Sequence, residues 1–325
     1  MNIDFSKMLK EHYNLSLRSY EIIRNTKRSL VIKCRTNQGL FLLKQVFMSF
    51  ERLQFLLQAT EYVRGAGVLI PKTIKTIHRN DYVTWEGNIY YLQEWIPSIS
   101  TPVVSVEDLV GLSKQIGRVH KLTLNNRSSN AHLFFKEINW EHNMKRALLL
   151  LEWLRLVKPN REEIDFFLDA GNWVVSELDK SALFPFLKNL PLGEQFLCHN
   201  DLHMGNLLKS ESGLFIIDWD LAKYDIPAKD LNGLIKIMGM VTGNWDNTVF
   251  ESILEAYIHE NPISDQLVSL IILYLTFPHN ALTLLLKDVT QTESPQQIKS
   301  LLQFEKEKTE YLLKRQGDRY RVPPI

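Results

Sequence analysis

An α+β chain is predicted, with a small antiparallel sheet carried by residues 1–96 and a mainly helical body over 97–325. Three observations lead there. Up to Glu94, short alternating apolar runs are separated by tight-turn signals. After Pro97 the apolar spacing changes to the 3.6-residue period of helices. Inside that helical body a single stretch, "FLCHNDLHMGNLLKSESGLFIIDWD" (196–220), reverts to strand-like runs around a concentration of charge.

Taken in order, residues 1–14 read as a short amphipathic helix. From 17 to 46 the pattern is that of strands, with "SLVIKCRT", a turn at "NQG" and then "LFLLKQV", where Gly39 supplies the positive φ of a tight hairpin. "FERLQFLLQATEYVRGAG" is helical: Phe50, Leu53, Leu57 and Thr60 share a stripe, and Gly65 is the expected C-terminal stop. "YVTW" and "IYYLQEW" follow as strands joined across Glu86-Gly87-Asn88. Beyond Pro97, "VEDLVGLSKQIGRVHKL", "INWEHNMKRALLLLEWLRLV" and "EEIDFFLDAGNWVVSELD" are helical in period, and helices resume from 230 to 315. The basic tail "RQGDRYRVPPI" is expected at the surface. There is no internal repeat and no low-complexity linker.

A chain of 325 residues with 45% hydrophobic and 23% charged side chains can bury a substantial core in two packed lobes. Lys+Arg at 38 against Asp+Glu at 37 leaves no broad basic field, so nucleic acid is not an expected partner. Cys34 and Cys198 lie far apart in apolar runs, which suits reduced core thiols rather than a metal motif. The N-terminus lacks the apolar run of a signal peptide, and no membrane partner is expected, because no segment approaches the roughly 20 uninterrupted apolar residues of a span. A cytoplasmic enzyme, or a structural protein made in the cytosol, fits.

The charged stretch reads as strand, loop, strand, a turn at Ser212-Gly213, then strand. Asp201 and Asn206 then share one loop, and Asp218 ends the following strand. A plain polar loop would account for this composition. Phosphoryl transfer would account for more of it, since it needs a carboxylate to take the proton of an attacking hydroxyl and oxygen ligands for magnesium at nucleotide phosphates. Asp201 suits the first role, Asn206 and Asp218 the second, and their D-x-x-x-x-N spacing is that of a kinase catalytic loop. His199 and His203 with Asp201 show no fourth ligand at zinc spacing.

"HNDLHMGN…FIIDWD" resembles the aminoglycoside phosphotransferase and choline kinase superfamily, whose usual pattern is H-G-D-x-x-x-x-N…I-D-[WF]. Asn200 stands where glycine is frequent, as it does in choline-kinase-like relatives. "LLKQVFMSFERLQFLLQATEYVRGAG", "YDIPAKDL" and "LTFPHNAL" look like the CotS-type spore-coat branch, and the likeness spans residues 20 to 310. It implies a two-lobed protein-kinase-like fold, with a nucleotide-binding lobe over 1–96 and a helical lobe over 97–325 carrying the catalytic loop and the substrate elements. It also implies ATP and Mg2+ as cofactors, a small hydroxylated acceptor, and deposition in the spore coat among other coat proteins. The branch leaves open a second reading, a coat component that keeps the scaffold without turnover.

Several residues gain expected roles from the resemblance. Leu40, Leu42, Lys44 and Val46 alternate onto one strand face, so Lys44 is an ammonium in an apolar row that needs a partner. The kinase-like role places it at the nucleotide's α/β phosphates. Glu51 and Glu61 on the following helix are its candidate partners, Glu51 preferred for its place in the "FER" of the branch. "IRNTKRSLVI" occupies the position of the phosphate-covering loop with no glycine, leaving Thr26 to Ser29 to donate hydrogen bonds. Glu94, Trp95 and Ile96 would meet an adenine edge. His199 would brace the catalytic loop, Asp220 would join the metal shell or cap the next segment, and Asp230 would tether the loop backbone. The acceptor pocket is expected among helices between 105 and 190 and after 230.

Overall fold

The computed structural model describes residues 4–27, 29–97, 104–124, 139–158 and 161–319. Arg28 of the glycine-free segment and residues 320–325 of the basic tail lie outside them. The chain divides into two compact units. Of the described residues, the first unit takes those up to 97 together with 205–222, and the second takes the rest.

The first unit is built on strands β1 (Leu17–Thr26), β2 (Ser29–Thr36), β3 (Gly39–Val46), β4 (Thr73–Ile74), β5 (Val83–Trp85) and β6 (Asn88–Glu94). All pairings are antiparallel, in the order β1-β2-β3-β6-β4, with β5 also paired to β6. Glu86 and Gly87, with φ of 47° and 78°, form the two-residue link between β5 and β6. A turn with two left-handed centres matches the right-handed twist of its strands.

Because side chains alternate across a strand, β3 serves two faces. Leu43 joins Ile32, Cys34, Tyr90 and Leu92 under helix α1 (Phe5–Tyr13), which contributes Phe5, Met8 and Leu9. Val46 and Tyr91 meet Leu53 and Leu57 of helix α2 (Phe50–Gly65) on the other face. α2 runs through Gly65, and it is Gly67, at φ 86°, that takes the left-handed conformation. The Val68 N–H then reaches back to the Val63 carbonyl, which satisfies a carbonyl of the last turn. The hairpin of β8 (Leu207–Ser210) and β9 (Gly213–Ile216) belongs to this unit, tied by the Ile216 N–H to the Leu69 carbonyl at 2.9 Å.

The second unit is helical: α3 (Val106–Thr123), α4 (Trp140–Val157), α5 (Glu162–Lys180), α6 (Leu183–Lys188), α7 (Ala228–Thr242), α8 (Asn247–Glu260), α9 (Asp265–Thr276), α10 (His279–Thr290) and α11 (Pro295–Arg319). Among its described residues a short ladder pairs β7 (Phe196–Cys198) with β10 (Lys223–Asp225). α3 opens on a capping box between Ser105 and Asp108. Asp265–Thr290 has the length and apolarity of a membrane span, but it is broken at Phe277-Pro278 between α9 and α10. Of its most apolar window 78% is buried inside the fold, as in a core helix pair.

Candidate active site

Lys44 sits on the α2-facing side of β3, directly across the ladder from Tyr91, and is 7% exposed. A buried ammonium requires counter-charge, and two carboxylates supply it. Asp218 Oδ1 lies 2.7 Å and Asp220 Oδ1 2.8 Å from Lys44 Nζ. Burial alone would lower the Lys44 pKa; the Asp220 and Asp218 carboxylates outweigh it, so the pKa is raised. Burial also pushes Tyr91 up to about 12, which keeps its hydroxyl neutral.

The backbone explains how both acids reach one lysine. Asp218 follows β9 with φ 61° and ψ 59°, the left-handed region, and turns the chain into a 3-10 turn over Trp219–Leu221. The Trp219 indole N–H donates to the Ile216 carbonyl at 3.1 Å and pins that turn. Asn206, 3% exposed, is fixed to the same strand end, since its carbonyl accepts the Ile217 N–H at 2.9 Å. From β1, Arg24 brings a second cation, with Nη1 3.5 Å from Asp218 Oδ2.

These groups line a cavity of about 300 Å³ inside the first unit. Lys44, Arg24, Asn206, Asp218 and Asp220 form its polar part, Leu42, Leu53, Leu57 and Ile70 its apolar walls, and Glu94, Trp95 and Ile96 border it. Glu94 is committed within the unit, because its N–H donates to the Lys72 carbonyl at 2.9 Å and its side chain accepts the Lys72 N–H at 2.7 Å. In the glycine-free segment the Thr26 hydroxyl donates to the Ser29 carbonyl at 3.4 Å.

The expected partner of Lys44 on α2 is not there. Glu51 lies exposed in the first turn of α2, outside the cavity lining, and Glu61 is bound to Arg64 at 2.6 and 2.9 Å. The next residue along, rotated by the roughly 100° step of a helix, faces inward instead. Arg52 Nη2 donates to the Asp220 carbonyl at 3.0 Å and to the Ala222 carbonyl. Arg24 and Arg52 escape a reading of the sequence because an arginine on a strand or helix carries no local mark of the carboxyl turn it will meet.

In the second unit the loop after β7 is held by a buried acid. Asp230, 1% exposed near the start of α7, accepts the backbone N–H of His199 at 2.7 Å and of Asn200 at 2.8 Å. His120 Nε2 lies 3.2 Å from the same carboxylate, and His120 Nδ1 lies 2.9 Å from the Tyr257 hydroxyl, which also accepts from Asn261 at 2.9 Å. Burial would raise the Asp230 pKa; the His120 hydrogen bond and the nearby His120, His199 and Asn200 groups hold it below the usual range. Asn200 adopts φ 64°, which explains why glycine or asparagine suits the position, and its amide donates to the Cys198 carbonyl at 3.1 Å. The Asp201 N–H points at buried His199 Nδ1 at 3.3 Å, while the Asp201 carboxylate stays 42% exposed, 3.6 Å from His203 Nε2. Gly233 lets α7 lie against the loop, since a Cβ there would stand 2.4 Å from the Leu202 carbonyl.

Two sets of groups bear on metal binding. Among the described residues, His120, Cys198 and Asp230 present ligand atoms within 4.8 Å of one another. Both His120 nitrogens and both Asp230 oxygens are engaged in the anchor, so these residues act as scaffold. Asn206 and Asp218 instead offer an amide and a carboxylate oxygen beside the cavity, and a hard divalent cation takes oxygen-only donors of this kind.

Residues 22–265 match the model of the Phosphotransferase enzyme family, and the chain belongs to that family. Spore coat protein S of Bacillus subtilis (strain 168) is 22% identical over 256 residues, covering 75% of this chain and 72% of its own. An aminoglycoside phosphotransferase from Alicyclobacillus acidocaldarius superposes with a TM-score of 0.74 at 15% identity over 94% of this chain and 93% of its own. An amicoumacin kinase solved in complex with AMP-PNP, Ca2+ and Ami superposes with a TM-score of 0.61 at 17% identity, over 95% of this chain and 94% of its own. These likenesses establish a kinase-like α+β fold.

Proposed function

We propose that the protein is an ATP- and magnesium-dependent phosphotransferase acting on an alcohol group of a small hydroxylated molecule. The observation that carries this reading is Lys44 held between Asp218 and Asp220 in an apolar-walled cavity, in a chain of the phosphotransferase family. Phosphoryl transfer rests on alignment and on neutralising charge at phosphate oxygens. Lys44 and Arg24 carry the positive charge for that task. Asn206 and Asp218 would hold the divalent cation, which when bound supplies further neutralisation at the phosphates. The walls formed by Leu42 and Ile70 suit the faces of a purine, and the segment from Glu94 to Ile96 suits its edge.

Asp201 is the proposed base, orienting the acceptor hydroxyl and taking its proton, with the preceding backbone held still by Asp230. The nucleotide falls to the lobe over 1–96 with the 205–222 hairpin, and the acceptor to the helical lobe. The nucleotide analogue and cation bound by the amicoumacin kinase support the cofactor assignment. Likeness to Spore coat protein S supports synthesis in the cytoplasm followed by deposition in a spore coat, with other coat proteins as partners. That likeness, with the glycine-free sequence between β1 and β2, also favours a second reading as a coat component without turnover.

Thermal unfolding with and without ATP and magnesium separates the two. A bound nucleotide stabilises by RT ln(1 + [L]/Kd), about 2.7 kcal/mol at a hundredfold excess over Kd. A shift is expected, and its absence with every nucleotide tried would favour the coat component. Asp201→Asn is expected to cut turnover by about 10²–10⁴-fold while keeping the nucleotide shift. Unchanged turnover would remove Asp201 from its role.

A further inference from the structure

In protein kinases the strand lysine that reaches the phosphates is held by a glutamate on the helix that follows. Here α2 turns Glu51 to solvent, engages Glu61 with Arg64, and directs Arg52 inward. The second acid of "IDWD" lies 2.8 Å from Lys44, almost as close as the first. We infer that Asp220 is the positioning residue that holds Lys44 in place of a helix glutamate, leaving Asp218 to turn toward a divalent cation, and that Arg52 sets Asp220 by gripping the carbonyls of residues 220 and 222. This rests on reading the cavity as a nucleotide site.

The division follows from charge. A cation drawn to Asp218 repels the Lys44 ammonium and withdraws part of its counter-charge. Lys44 is too buried to be left uncompensated, so a second carboxylate must remain with it. Asp220 is placed for this by its backbone. Its carbonyl and that of Ala222 need donors, and a guanidinium, which has donors only and in a fixed fork, answers both from one helix position. α2 therefore remains linked to the lysine indirectly, through main-chain carbonyls rather than through a side-chain ion pair.

The first test needs no nucleotide. Thermal unfolding of Lys44→Met, Asp220→Asn and the double variant is expected to be non-additive, with the double variant within ~1 °C of Lys44→Met alone. Strict additivity would overturn the inference. The second test measures ATP affinity in EDTA and in magnesium. Asp220→Asn is expected to weaken it about tenfold under both conditions, the loss of one charge-assisted contact at Lys44, whereas Asp218→Asn weakens it mainly in magnesium. An Asp220→Asn loss confined to magnesium would make Asp220 a cation ligand, and a loss with Glu51→Gln but none with Asp220→Asn would return the role to the helix; either overturns the inference. If the wild-type protein takes no nucleotide under either condition, the phosphotransferase reading fails, while the nucleotide-free cycle still decides whether Asp220 holds Lys44.

Discussion

The two units each bury a charged group, and they satisfy it in opposite ways. Lys44 is neutralised by two carboxylates that remain 25% and 32% exposed and border a cavity, so a ligand could replace them. Asp230 is neutralised by backbone N–H groups of the loop it holds and by a histidine that is itself fixed by Tyr257. Its partners belong to the fold and cannot leave without local unfolding. The difference separates a site from an anchor. A charge whose partners can be exchanged is available for chemistry, while one saturated by fixed donors holds other groups still.

Removing the anchor should have the largest effect on stability. Asp230→Ala leaves two backbone N–H groups and His120 without an acceptor in a dry interior, and a loss of about 3–5 kcal/mol is expected in urea unfolding. A cost below about 1 kcal/mol would erase the contrast with Lys44. Gly233→Ala tests the packing beneath the loop. The new methyl meets the Leu202 carbonyl at 2.4 Å, so α7 must move away, at about 1–3 kcal/mol and with reduced turnover. Acid should show the smallest effect. The Asp230 pKa is lowered in the fold, so its contribution is present above the unfolded carboxylate value and is lost as pH falls through the folded one. Urea midpoints should therefore fall in acid for the wild type, and Asp230→Asn should flatten that region of the profile.

Legibility in the sequence follows range. The turns at Gly39 and at Glu86-Gly87 can be read because a tight hairpin needs left-handed residues at known offsets. After Pro97 the spacing marks α3, α4 and α5 and a helical run from 230 to 315, but neither the short α6 nor the breaks that divide that run into α7 to α11. Gly65 is the expected end of α2 and is its last residue, while the left-handed conformation that follows falls at Gly67; two glycines so close offer the same conformational licence, and only the packing of Val68 chooses which one takes it. The acid that meets Lys44 is harder. Asp218 lies 174 residues from it, and nothing local says whether Glu51, Glu61 or Asp220 will join. The Asp230 tether is anticipated only through the family resemblance of "YDIPAKDL", since a place at the start of α7 by itself marks no more than a helix cap. His120 and Tyr257 behind it are not anticipated at all, because each reads as an ordinary helical residue.

By itself the sequence determined the longer strands and helices and the kinds of donor present in the 199–220 stretch, since these depend on backbone preference and side-chain chemistry over a few residues. The short β4, β10 and α6 carry too little pattern to be read. Tertiary structure alone decided that Arg52 rather than Glu51 faces inward, that two aspartates share one lysine, and that a buried carboxylate stiffens the loop before Asp201. Those outcomes depend on how a helix is rotated about its axis and on which distant segments pack together, and both are set by burial of the whole chain.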